Sequence, residues 1–182
     1  MLSPQGISRV IIVVLDGLRP DAILRLPLPG VMRLAEQGAS TFKGTTVEPS
    51  ITAAAISSLF SGVHPHVHRI RSERVGIPRP TEPLTLLPRL LRVHGFPMYG
   101  YFATLPRPFR GLGTRLAAHV GADVTFAGKC AEEILDQAVV RLDHERKGVF
   151  FLHWPDADIA GHAHGWMSPE YVQGAHALDQ AL

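Results

Sequence analysis

Residues 9 to 15, Arg-Val-Ile-Ile-Val-Val-Leu, are an unbroken apolar and mostly β-branched run. A strand with one wet face alternates apolar and polar residues. A run without alternation belongs to a strand covered on both faces, which implies a central strand of a parallel sheet. Parallel strands cannot be joined by tight turns and need crossovers, usually helical. The rest of the chain supplies them. Pro20-Asp21 opens a helix, and Leu28 to Gln37 reads as a second one closed by Gly38. Thr41 to Val47 is β-rich and reads as the next strand. Thr52 to Ser61 runs without a breaker to Gly62, a helix whose first residue carries a hydroxyl.

Val63 to Pro83, rich in proline and histidine, reads as an irregular loop. Leu84 to His94 is helical, Met98 to Ala103 a strand, Arg107 to Gly121 ambiguous and Val124 to Ala127 a short strand. Ala131 to Glu145 is an amphipathic helix and Val149 to His153 a second buried strand. A polar loop carrying Gly and His follows, and Ser168-Pro169-Glu170 opens a last helix by N-cap and N1-proline logic. Strands alternating with helices indicate an α/β fold, a mostly parallel sheet with helices on both faces.

The 182 residues suit one domain with a real core. A net charge of +2 with scattered arginines gives no basic stripe for a nucleic-acid backbone. Cys130 is the only cysteine, so an intrachain disulfide and a thiolate-rich metal site are excluded. The first apolar run is far too short to span a bilayer and lacks a signal-cleavage pattern. The expectation is a cytoplasmic protein with no membrane and no nucleic-acid partner.

Ligands of open α/β sheets sit beyond the carboxyl ends of the strands. Asp16 follows the first strand, Thr52 the second, and Asp156-Ala-Asp158 the strand ending at His153. Asp158 and His162 lie four residues apart across a glycine, and their O and N donors suit zinc, manganese or iron. A solvated loop has the same composition. Asp16 either caps the following turn or faces the same edge as Asp158. Thr52 is either an N-cap or a nucleophile at a helix start whose N–H groups attract phosphate. Ser50, Ser57 and Ser58 are rival hydroxyls. Phe102, Arg107, Phe109 and Arg110 could line a substrate pocket.

Three blocks in order carry a resemblance: Val13-Val-Leu-Asp16-Gly17; Thr52 through Ser61-Gly62-Val63-His64-Pro65 to His68; and Pro155-Asp156-Ala-Asp158-Ile-Ala-Gly161-His162 with Gly165 and Ser168-Pro169-Glu170. Together they resemble the type I phosphodiesterase/nucleotide pyrophosphatase family of the alkaline phosphatase superfamily. The resemblance implies an alkaline-phosphatase-like three-layer sandwich and two divalent metals, commonly zinc. It places Asp16 and Thr52 on one metal and Asp158 and His162 on the other. Thr52 would attack phosphorus and form a phospho-threonine. Asp156 would be structural or stand behind the ligands.

Two departures matter. Ala55 stands where eukaryotic-type members carry a phosphate-contacting Asn three residues after the nucleophile. The family's later Asp-His pair and further His have no counterpart after His162, where only His164 and His176 follow. The resemblance therefore implies residues 1–182 as a single domain lacking its C-terminal part. A phosphomonoesterase, a phosphonate hydrolase or a catalytically incomplete phosphate-binding homologue remains open. A sulfatase is disfavoured because Lys129-Cys130-Ala-Glu lacks the required block. A dinucleotide-binding domain is disfavoured because Gly111-Leu-Gly113 lacks the third glycine.

Overall fold

A computed structural model describes residues 6–72, 79–104 and 120–182. Four strands, β1 (Arg9–Leu15), β2 (Met98–Phe102), β3 (Asp123–Phe126) and β4 (Gly148–Trp154), form one all-parallel sheet in the order β1-β4-β2-β3. The helices are α1 (Pro20–Arg25), α2 (Pro29–Gln37), α3 (Thr52–Ser61), α4 (Pro65–His68), α5 (Leu87–Val93), α6 (Ala131–His144), α7 (Asp156–His164) and α8 (Pro169–Ala181). None of these helices is long and apolar enough to cross a membrane. Arg107, Phe109, Arg110 and the Gly111–Gly113 segment lie outside the described residues.

The sheet separates two apolar layers. Phe150, Leu152 and Trp154 of β4 pack with Val13 and Leu15 of β1 against Ala22 of α1, Ile134 and Ala138 of α6, Ala157 of α7 and Tyr171 and Leu178 of α8. On the opposite face, Val149 and Phe151 pack with Ile12 and Val14 against Ile56 and Phe60 of α3 and Leu91 of α5. Alternation along each strand produces this division. Covering both faces is what the continuous apolar runs require.

Four sequence expectations are corrected. β1 is not central: among the described residues it pairs only with β4, and Val10 and Ile11 remain exposed. The central positions belong to β4, buried along its whole length, and β2. Thr41 to Val47 is not a strand. Its residues are mostly exposed, Gly44 interrupts them, and the Lys43 N–H donates to Thr41 Oγ1 in a local turn. β-propensity without a partner strand or a core to cover does not make a strand. Finally, the supposed loop after β4 is the helix α7, and Val63 to Pro83 contains the single-turn α4.

Two acids serve as caps for helices other than their own. Neither α2 nor α6 has a side-chain cap of its own. Asp179 of α8, 6% exposed, accepts from Gly30 N–H at 3.1 Å and Val31 N–H at 2.8 Å, which ties α2 to α8. Asp156 accepts from Ala131 N–H at 2.9 Å at the start of α6. Asp156 is thus structural. Burial pushes its carboxyl above the ordinary range, against the opposing effect of that hydrogen bond. Asp179→Ala should cost about 2 kcal/mol of stability, from the lost cap and the bare amides. Chemical unfolding of the two proteins measures it, and an unchanged midpoint would refute the tie.

Candidate active site

The turn after β1 places the first carboxylate. Ile12 and Val14 face the α3 layer, so Asp16, two residues on, continues on that face. α3 begins at Thr52, and the cap position before it is Ile51, which offers no side-chain acceptor. Thr52 is therefore not the N-cap. Its hydroxyl instead donates to Asp16 Oδ2 at 2.8 Å. An irregular segment containing the cis Glu48–Pro49 bond delivers Thr52, rather than the strand expected from sequence. Ser50 is exposed in that segment.

β4 delivers the second pair. Its end leads through Pro155 into α7, whose first turn carries Asp158 and whose last turn carries His162. His162 Nε2 lies 3.4 Å from Asp158 Oδ1, one helical turn apart, with the His162 side chain 72% exposed. The expected glycine turn between them is helix. Gly161 is there because the Trp166 ring lies against it: a Cβ would come within 2.4 Å of the indole. Trp166 also meets His162 edge-on at 5.4 Å.

The two pairs are joined through the backbone. Asp158 N–H donates to Asp16 C=O at 3.1 Å. Gly17, at φ +73°, passes so close that a Cβ would sit 2.5 Å from Asp158 Cα. Buried Tyr171 of α8 donates to Gly17 C=O at 2.9 Å and accepts from Arg19 N–H at 3.1 Å, fixing the turn from behind.

His153 was not among the residues expected from sequence. Its Nε2 lies 2.9 Å from Asp16 Oδ2, so this one oxygen meets both Thr52 and His153. The residue is 8% exposed and its ring stacks on Phe102 at 5.8 Å. The one available sequence signal was an ionisable residue next to the end of an otherwise apolar strand. Burial works to raise the Asp16 carboxyl, but the hydrogen bonds from His153 and Thr52 and the field of the imidazole outweigh it. The group is held below the ordinary carboxylate range.

Ser58 and His68 form a competing arrangement with Ser58 Oγ 2.9 Å from His68 Nε2. His68 Nδ1 accepts from Ile70 N–H at 3.1 Å, which leaves the proton of the neutral ring on Nε2. Burial lowers the pKa of the ring and keeps it neutral. Nε2 therefore donates and cannot take a proton from Ser58. This pair links α3 to α4 and does not activate a nucleophile.

Among the described residues no three His, Cys, Asp or Glu side chains gather closely enough to hold a metal ion. The carboxylate, hydroxyl and imidazole donors of Asp16, Thr52, Asp158 and His162 nevertheless suit a divalent cation of the zinc type. They stand as two pairs, each short of a full shell.

Residues 10–79 match the type I phosphodiesterase / nucleotide pyrophosphatase family. No curated protein matches the sequence. Among solved structures, murine ectonucleotide pyrophosphatase/phosphodiesterase 5, as an inactive threonine-to-alanine form in complex with AMP, is similar at 17% identity with a TM-score of 0.72, over 96% of this chain and 50% of that one. The C-terminal periplasmic domain of EptC from Escherichia coli, in complex with Zn, is similar at 10% identity with a TM-score of 0.64, over 96% of this chain and 57% of that one. Phosphonoacetate hydrolase from Sinorhizobium meliloti 1021, in complex with phosphonoformate, gives 17% identity and a TM-score of 0.57, over 96% and 51%. This chain spans about half the length of the solved structures it matches. It is an α/β chain with the fold of these solved structures, and its residues 10–79 are similar to the type I phosphodiesterase / nucleotide pyrophosphatase family.

Proposed function

We propose that the protein is a metal-dependent hydrolase of phosphodiester or pyrophosphate bonds with Thr52 as nucleophile, acting on a small phosphorylated substrate such as a nucleotide. The observation that carries the reading is the Thr52 hydroxyl. It starts a helix without capping it and donates to Asp16 Oδ2 at 2.8 Å. A structural threonine at a helix start would cap the helix. The inactive threonine-to-alanine form of the murine neighbour supports the assignment, as does the AMP it binds. The zinc in the EptC structure supports the metal.

Asp16 orients the Thr52 hydroxyl, and the uncapped start of α3 offers backbone N–H groups and a positive dipole end to the phosphoryl oxygens. Backbone N–H groups would make the phosphate contact that Ala55 cannot. Asp16 and Thr52 would hold one divalent cation, Asp158 and His162 another. When bound, such cations lower the pKa of an attacking hydroxyl and neutralise the charge on a leaving oxygen. Thr52 Oγ1 then forms the bond to phosphorus as the bond to the leaving oxygen breaks, and water releases the phosphoryl group from the threonine in a second step.

A second reading, phosphonate hydrolysis, is favoured by the likeness to phosphonoacetate hydrolase and by Ala55 in place of the expected Asn. A substrate panel decides between them. The protein should cleave bis-p-nitrophenyl phosphate faster than p-nitrophenyl phosphate or phosphonoacetate, lose turnover on chelation and recover it with zinc. Preference for phosphonoacetate would select the second reading, and turnover indifferent to chelation would reject both.

A further inference from the structure

We propose that His153 is a positioning residue for the cation site: its Nε2–H, donating to Asp16 Oδ2, fixes the carboxylate that holds both Thr52 and the metal. The inference rests on reading Asp16 as a metal ligand and adds a residue that none of the three sequence blocks contains.

The argument starts from the direction of the hydrogen bonds. An ionised carboxylate only accepts, so the imidazole nitrogen 2.9 Å from Oδ2 is the donor. Thr52 Oγ1 donates to the same oxygen. Two donors from two different elements, β4 and α3, therefore converge on one carboxylate oxygen. The terminal torsion of an aspartate is broad and roughly two-fold, so a single flexible donor does not fix it. A second donor on a rigid ring does.

The ring is rigid for reasons visible in the core. β4 is buried throughout, and the parallel register opposite β1 sets His153 against Val14, on the face where Asp16 follows. Phe102 of β2 stacks under the imidazole at 5.8 Å with an interplanar angle of 26°, and itself packs on Phe151 at 5.5 Å. His153 spends its hydrogen bond on the carboxylate at the strand end. Groups behind metal ligands orient them in this way, and removing one typically weakens metal binding by about 10–100-fold.

The test compares zinc affinity, by competition with a chromogenic chelator at one fixed pH, among the native protein, Asp16→Asn, His153→Phe and His153→Gln. Phenylalanine keeps a ring on Phe102 and removes the donor; glutamine keeps an N–H donor and removes the ring. Thermal melting of each variant shows whether the fold holds. The expected result is an Asp16-dependent zinc site weakened about 10-fold or more by His153→Phe at an unchanged melting temperature and largely restored by His153→Gln. Unaltered affinity in His153→Phe overturns the role of His153 and leaves the metal reading standing. So does failure of glutamine to restore affinity, because the imidazole itself would then be required. Zinc binding indifferent to Asp16→Asn overturns the metal reading and this inference with it. A Co(II) spectrum of His153→Phe matching the native one in coordination number would mark a positioning role, and a lost ligand would overturn it.

Discussion

Replacing Thr52 by alanine should lower phosphodiester turnover by about 10⁴-fold or more, as removal of a covalent nucleophile does elsewhere, while the protein stays folded. The lost hydroxyl makes one partly buried hydrogen bond, to Asp16. Deleting it should cost about 1 kcal/mol of stability, too little to unfold a domain. Two companions make the result specific. Thr52→Ser keeps a hydroxyl at the same position and should retain measurable turnover. Ser58→Ala removes the rival hydroxyl, whose histidine partner is locked as a donor, and should leave the rate unchanged. Rapid quench with a radiolabelled diester should trap label on the native protein and on Thr52→Ser but not on Thr52→Ala. A Thr52→Ala protein that turns over at the native rate would exclude the nucleophile assignment outright.

A large effect on the fold should come from a single methyl group at Gly17. Two costs combine there. A φ of +73° is left-handed, and the added Cβ would meet Asp158 Cα at 2.5 Å, a contact with backbone that cannot swing aside. The conformation costs an L-residue roughly 1–2 kcal/mol and the forced shift about 1–3 kcal/mol more. Gly62 provides the control: its φ is +72°, and nothing lies within 4 Å of its would-be Cβ. Gly62→Ala should pay only the first cost, so the difference between the two denaturation midpoints isolates the close approach. Equal losses would mean that α7 yields freely at Asp158. If the approach is as firm as the geometry indicates, Gly17→Ala should also weaken zinc binding, because it pushes the Asp158–His162 pair away from Asp16.

The elements that bring these groups together differ in how openly the sequence announces them. β1, β4 and α3 are legible because continuous apolar runs and an unbroken small-residue helix have few alternative structures. Gly62 even closes α3 in the left-handed conformation expected of a terminating glycine. The Thr41 to Val47 strand failed because strand propensity needs a partner, and pairing is a property of the assembled sheet. The α7 sequence reads as a loop because glycine and histidine are poor helix formers. Its buried Ala157 and the indole over Gly161 supply in three dimensions what local propensity lacks. The place of β1 in the sheet order is likewise set by packing and not by its own composition.

The candidate site divides in the same way. Asp16, Thr52, Asp158 and His162 were visible through spacing and through the family resemblance. His153 was not, because a lone histidine in a strand has no spacing signature and its partner lies 137 residues away. Asp156 and Asp158, two residues apart, look interchangeable in sequence. Only the structure separates the acid that caps α6 from the one that lies against the Asp16 turn.

The bare start of α3 has a consequence for how a turnover ends. Ile51 supplies no acceptor, so the first amides of the helix keep their partial positive charge for whatever anion arrives. A diester brings a single negative charge, whereas the monoester left after cleavage carries about −1.5 to −2 at neutral pH, as phosphorylated side chains do. The same amides therefore grip the product harder than the substrate. On the proposed reading, the monoester product should therefore compete with the diester for the site as an inhibitor.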